Sequence, residues 1–141
     1  MTVMAVTSAQ VRALTSHGAI VVPGTAGGTV TIGYLVYQAS DGDWEHADAN
    51  AVGQQTALGV AVQSFDGEDT VVAGNALSVC IHGPVSGFDA LDPGALYYLS
   101  DTVGRLDDAE GAYDRIIGNG MELAGVDVLN VNIQLTDAAS D

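Results

Sequence analysis

ALGVAVQSFDGEDTVVAGNALSVCIHGPV, residues 57–85, is the stretch whose reading decides the fold. Leu58, Val60 and Val62 alternate with Gly59, Ala61 and Gln63, and Asp66-Gly67-Glu68-Asp69 closes that run. Val71 and Val72 make a short return before Gly74-Asn75. Leu77, Val79 and Ile81 then alternate with Ser78, Cys80 and His82 as far as Gly83-Pro84, where the missing proline N–H is expected to end the ladder. Successive side chains of a strand point to opposite faces, so a period of two marks a strand with one face on a core. Short strands with turn signals every ~8–12 residues are the pattern of a sandwich or barrel. The expected fold is therefore all-β, a small antiparallel β-sandwich or β-barrel with an N-terminal arm.

Working upstream, Val30, Ile32, Tyr34 and Val36 share one face of an expected strand, and Thr29, Thr31, Gly33 and Leu35 take the other. Asp41-Gly42-Asp43 reads as a hairpin turn just before Trp44, because Asp-Gly supplies the positive φ of tight primed turns. Downstream, Asp92-Pro93-Gly94 marks a turn before a strand over residues 95–100, and Arg105-Leu106-Asp107 borders another. Leu129, Val131, Ile133 and Leu135 alternate with Asn130, Asn132 and Gln134, the clearest period of two in the chain. Val126 and Val128 have the opposite parity, which predicts a bulge or bend near Val128. Residues 1–18 are small, β-branched and polar, with a helical turn or an extended run equally compatible from Ser8 onward. They are expected to form an arm that orders against a partner through Val3, Val6 and Val11, and residues 19–141 a single β domain ending in a polar tail from Thr136.

Composition bounds the partners. Eighteen acids stand against Arg12, Arg105 and Arg115, with no lysine, giving a net charge of −15. Affinity for nucleic acid comes largely from Lys and Arg releasing condensed counterions, so nucleic acid and anionic membrane are expected non-partners. A hydrophobic fraction of 48% argues for a folded chain, and no apolar run reaches the ~18 residues of a membrane helix. Cys80 is the only cysteine, expected to be a buried, inert thiol.

Candidate chemistry is thin. Gly24-Thr25-Ala26-Gly27-Gly28-Thr29 has the glycines of a phosphate loop, yet no lysine or helix follows, so it reads as a turn. Asp41, Asp43 and Glu45 have the spacing that opens a calcium loop, with His46 and Asp48 nearby. His46 falls where such a loop needs Gly, and Val52 where it needs Glu. His17, His46 and His82 form no spaced metal pair. Ser86, His82 and Asp89 could nominally make a triad, but Gly83-Pro84-Val85-Ser86-Gly87 is not a nucleophile elbow. No catalytic residue, metal or cofactor is expected. Tyr34, Tyr37, Trp44, Tyr97, Tyr98 and Tyr113 could form a platform, and Tyr97 and Tyr98, adjacent on a strand, must face opposite ways.

Ala57-Leu-Gly-Val-Ala-Val-Gln63, Val79-Cys-Ile-His-Gly-Pro-Val85 and Asp92-Pro-Gly-Ala-Leu-Tyr-Tyr-Leu-Ser-Asp101, continuing to Asp107, resemble as a series the small β-rich virion proteins of bacteriophages. Among these the chain is most similar to the capsid decoration proteins, also called cement or head-stabilising proteins. The resemblance covers about residues 30–135 and rests on strand and turn residues. It implies a non-enzymatic homotrimer on the outer capsid surface, bound to the major capsid protein and stabilising the expanded shell, with an arm reaching over neighbouring subunits. Val3, Val6, Val11, Tyr97 and Tyr98 are the expected interface residues. A receptor- or glycan-binding module of a phage tail or fibre is the alternative.

Overall fold

The computed structural model describes residues 2–48, 59–111 and 115–133; Val52, Ala57, Leu58, Tyr113 and the stretch from Gln134 onward, all used in the sequence reading, lie outside them. The chain is all-β, half of it strand, with no helix of seven residues or more among the described residues. The strands are β1 (Arg12–Ala13), β2 (Ile20–Thr25), β3 (Val30–Thr31), β4 (Leu35–Gln38), β5 (Trp44–His46), β6 (Gly59–Ser64), β7 (Thr70–Val71), β8 (Ala76–Ser86), β9 (Leu96–Leu99), β10 (Leu106–Asp107), β11 (Ile116–Leu123) and β12 (Val126–Val131). Eight of them run side by side in the order β10-β9-β11-β12-β8-β6-β4-β5, an antiparallel sheet that curls into a half-barrel. β1 and β2 also pair with β8, and β3 and β7 form a separate two-stranded piece.

β8 organises this topology because it changes partners along its length. Its first part lies between β2 and β6, with Ser78 opposite both Pro23 and Gln63; its last part lies between β12 and β1, with Val85 opposite both Leu129 and Ala13. The strand therefore continues through Gly83-Pro84, where the sequence reading ended it. Pro84 opposes Asn130, and its carbonyl accepts the Leu14 N–H at 2.9 Å, so the ladder uses the group that proline keeps. Gly83 makes the change of direction possible: its φ is +97°, and a Cβ there would sit 2.6 Å from the Ala19 Cα.

Two other expectations change. The single strand expected over Thr29–Val36 is two, because the chain turns at Ile32-Gly33 and leaves β3 in the small sheet and β4 in the large one. No bulge occurs at Val128: β11 and β12 pair without a register shift from Gly118↔Val131 to Leu123↔Val126, closing through Ala124-Gly125, both at positive φ as a primed turn requires. Val128 and Leu129 are both fully buried, so the strand is covered on two faces and parity loses its meaning there. The same holds for Leu35 and Val36, and for Val60 and Ala61. The Asp41-Gly42-Asp43 turn between β4 and β5 forms as expected, with the Asp43 N–H donating to Asp41 Oδ1 at 3.0 Å.

The N-terminal arm lies along its own domain. The Asp108 N–H donates to the Thr2 carbonyl, the Met4 N–H to the Leu106 carbonyl and the Thr7 N–H to the Gly87 carbonyl, before β1 joins β8. Residues 2–13 thus stitch the β10 end of the curled sheet to the end of β8. Val11 is fully buried in the core with Leu35, Leu99, Ile117 and Leu129. Burying such a side chain contributes about 1.5–3 kcal/mol, which explains why the segment stays down.

Candidate functional site

The fold uses up several residues that the sequence offers for contact. Val11 is 0% exposed and Tyr97 2% exposed, both within this one chain, so neither is available to a partner. Val3 bridges to Asp107 and Val6 to Phe88, leaving both half-buried. Tyr97 is the inward member of the tyrosine pair, and its hydroxyl accepts the Asp92 N–H at 2.7 Å. Tyr98 faces the other way, half-buried on β9 between β10 and β11.

The nominal catalytic and metal sets do not assemble. Ser86 Oγ donates to the Gln10 carbonyl at 3.0 Å, and the exposed His82 sits on β8 opposite Ile20. No group of three His, Cys, Asp or Glu side chains among the described residues is placed to hold a metal ion. Cys80 is buried, donates its thiol to the His82 carbonyl at 3.2 Å, and has its pKa pushed up by burial, so it stays a protonated thiol. Gly24–Ala26 continue β2 into a bridge with Trp44, and Trp44 is buried against Gly24.

His46 has a structural task. Its Nε2 accepts the Thr31 N–H at 2.9 Å, taking the place of a neighbouring strand on the outer side of β3. Its ring lies 4.9 Å from that of Tyr34, and the Arg105 guanidinium carbon lies 5.3 Å from the Tyr34 centroid. Arg105 also donates to the Met4 carbonyl at 2.9 Å, so this stack ties the N-terminal segment to β5. Burial lowers the His46 pKa and keeps the ring neutral and able to accept. The sequence carries no sign of this grouping, since Tyr34, His46 and Arg105 belong to no spaced motif.

The surface feature that sequence reasoning missed is an outer sheet face across β2, β8 and β6. Residues directly opposed on antiparallel strands share a face. Pro23, Ser78 and Gln63 form one such row; Thr25 and Ala76 form the next, which Phe65 extends by donating its N–H to the Ala76 carbonyl. None of these six is charged, five are exposed, and Phe65 is 63% exposed. Val72 and Ile20 are also exposed large apolar residues, at 62% and 51%. On a chain carrying −15, an uncharged face with an open aromatic ring is the surface that another protein could cover at least electrostatic cost. The signal lay in pairing Pro23 with Ser78 and Gln63, which no local pattern reveals.

No family model matches the chain, and neither a curated protein nor a solved structure is significantly similar to it.

Proposed function

We propose that this chain is a non-enzymatic structural protein of a bacteriophage virion, a capsid decoration protein that binds the outer shell as a homotrimer and stabilises the expanded shell by bridging major capsid subunits. The observation that carries the reading is the uncharged β2–β8–β6 face with Phe65 at its edge, on a chain otherwise dominated by acids. The sequence resemblance supplies the class of container. A decoration protein is used many times on one lattice, so modest single contacts gain through multivalency. A cyclic trimer needs a heterologous interface that closes, and an uncharged face avoids the repulsion that the acids would impose between copies. Strong negative charge suits a surface turned away from packaged nucleic acid. Of the Tyr and Trp residues that the tail-module reading relies on, Trp44 and Tyr97 are buried, and Tyr34, Tyr37 and Tyr98 are half-buried.

The test is co-sedimentation with expanded shells of a major capsid protein, together with sedimentation velocity of the free chain. The expected result is saturable binding and a trimer, free or on the shell. Phe65→Asp, at an exposed position, is expected to weaken shell binding roughly tenfold while the far-UV spectrum is unchanged. A chain that stays monomeric and fails to sediment with shells sinks the reading.

A further inference from the structure

Beside the uncharged face lies a cleft of about 540 Å³. Its apolar lining is Ala9, Ala13, Val21, Ile32 and Val62, brought together from separate elements. Arg12 lines it from the N-terminal segment, and Glu68 and Asp69 line it from the turn between β6 and β7. Arg12 donates to the Ala9 and Val11 carbonyls at 3.2 and 2.7 Å and meets no carboxylate among the described residues. It is also the only exposed arginine, since Arg105 is half-buried and Arg115 buried. The cleft therefore holds opposite charges around an apolar lining, with no ion pair between them among the described residues. It continues into a shallower groove of about 250 Å³ that shares Gln63 and Ser64 with it and runs past Phe65 and Pro23.

The geometry points to this cleft as a docking site for an extended polypeptide segment of a partner protein, with aliphatic side chains in its middle, an acid near one end and a base near the other. Charge complementarity sets the ends: the partner's acid meets Arg12, and its base meets Glu68 and Asp69. The apolar lining sets the middle, where buried aliphatic side chains gain by leaving water, less the cost of ordering the segment. An extended chain can lay opposite charges against Arg12 and against Glu68 and Asp69 with aliphatic side chains between them, whereas a compact apolar molecule meets only the middle. The lining side chains lie on a face and not along a strand edge, so the segment docks on the face and does not extend the sheet. This proposal borders the face of the shell reading and shares Gln63 with it, but rests on the charges of Arg12, Glu68 and Asp69, which that reading does not use.

The test uses the whole chain and an array of capped nonapeptides, each with a Val/Ile/Ala centre flanked by Asp, Arg or Ser at either end. Peptides with Asp at one end and Arg at the other are expected to bind roughly fivefold tighter than those with Ser at both, from two part-exposed ion pairs. Arg12→Glu is expected to switch the preference at its end from Asp to Arg. Ala9→Trp, which fills the cleft from an exposed position, is expected to abolish binding with the melting temperature preserved. Glu68→Arg, on an exposed turn, gives the same reading from the opposite side should the tryptophan variant fold poorly. Equal binding of charged-end and Ser-end peptides, no binding by any peptide, or undiminished binding by Ala9→Trp overturns the proposal. Shell co-sedimentation is measured separately, so failure here and failure of the shell reading are told apart.

Discussion

The N-terminal segment and the β11–β12 hairpin each send a side chain fully into the core, yet only one of them announces it. In the hairpin, Leu129 is fully buried, its partner strand is the preceding one, and the two are joined by a two-residue turn. In the N-terminal segment, Val11 is just as buried, but the partners are remote: Thr2 accepts a hydrogen bond from Asp108, and Met4 accepts one from Arg105, 101 residues away. Sequence separation hides such pairing but hardly penalises its stability, because loop-closure cost grows only logarithmically, by about 0.6 kcal/mol per doubling of length. It weighs more on folding speed, since the last stitch between β10 and β8 waits for the sheet between them to form. A terminus without strand periodicity can therefore tie β10 to β8 through remote partners.

The sharpest way to break that equivalence is Val11→Asp. If residues 2–13 are part of the core, a carboxylate there is forced either to stay protonated or to expel the segment. Destabilisation of about 4 kcal/mol or more in urea unfolding is expected. A cost under about 0.5 kcal/mol, the range of surface positions, would return the segment to the status of an appendage. Leu129→Ala supplies the hairpin's side of the comparison. It removes a fully buried side chain between β11 and β8 and is expected to cost about 3 kcal/mol. A double variant with Val11→Ala should be close to additive if the two sites bury independent parts of the interior, and the same urea series measures it.

What could be read from the sequence divides along the same line. The all-β class, the Asp41-Gly42-Asp43 hairpin and the strands at Leu77–Ile81 and Leu129–Val131 all followed from local alternation and turn chemistry, which act over a few residues. The path of β8 through Pro84 did not, because it depends on a neighbour accepting proline's carbonyl and on Ala19 crowding Gly83. Alternation also failed where both faces are covered, at Val60-Ala61 and Val128-Leu129. For the tyrosine pair, the rule that adjacent strand residues face opposite ways puts one of Tyr97 and Tyr98 outward, although it cannot say which turns inward. Phe65 and the row Pro23–Ser78–Gln63 were not readable, since a face spanning three strands exists only once the register is known. Val3, Val6 and Val11 are expected from the sequence to meet a partner; in the fold Val11 is buried in this chain's own core, and Val3 and Val6 bridge to Asp107 and Phe88.

The smallest expected effect tests how the small β3–β7 sheet is held, by a side chain where the rest of the molecule uses backbone. His46 Nε2 accepts the Thr31 N–H only while the ring is neutral, and protonation would leave that amide without its acceptor, a loss of about 1 kcal/mol. Burial lowers the His46 pKa from the ordinary 6.5, so the unfolded chain takes up the proton first as pH falls. The sign follows: the His46 contribution to stability is complete above about pH 6.5 and is lost as pH drops through the lower folded-state value. His46→Gln keeps an acceptor oxygen in reach of Thr31 but has no proton to gain. Titrating carboxylates are common to both proteins and cancel in their difference. The stability gap between wild type and His46→Gln is therefore expected to shift by about 1 kcal/mol against the wild type between pH 7.5 and 5. A gap that holds constant over that range would mean that Thr31 needs no acceptor from β5, and that the small sheet is held by its own ladder and by Ile32 donating to the Asp69 carbonyl.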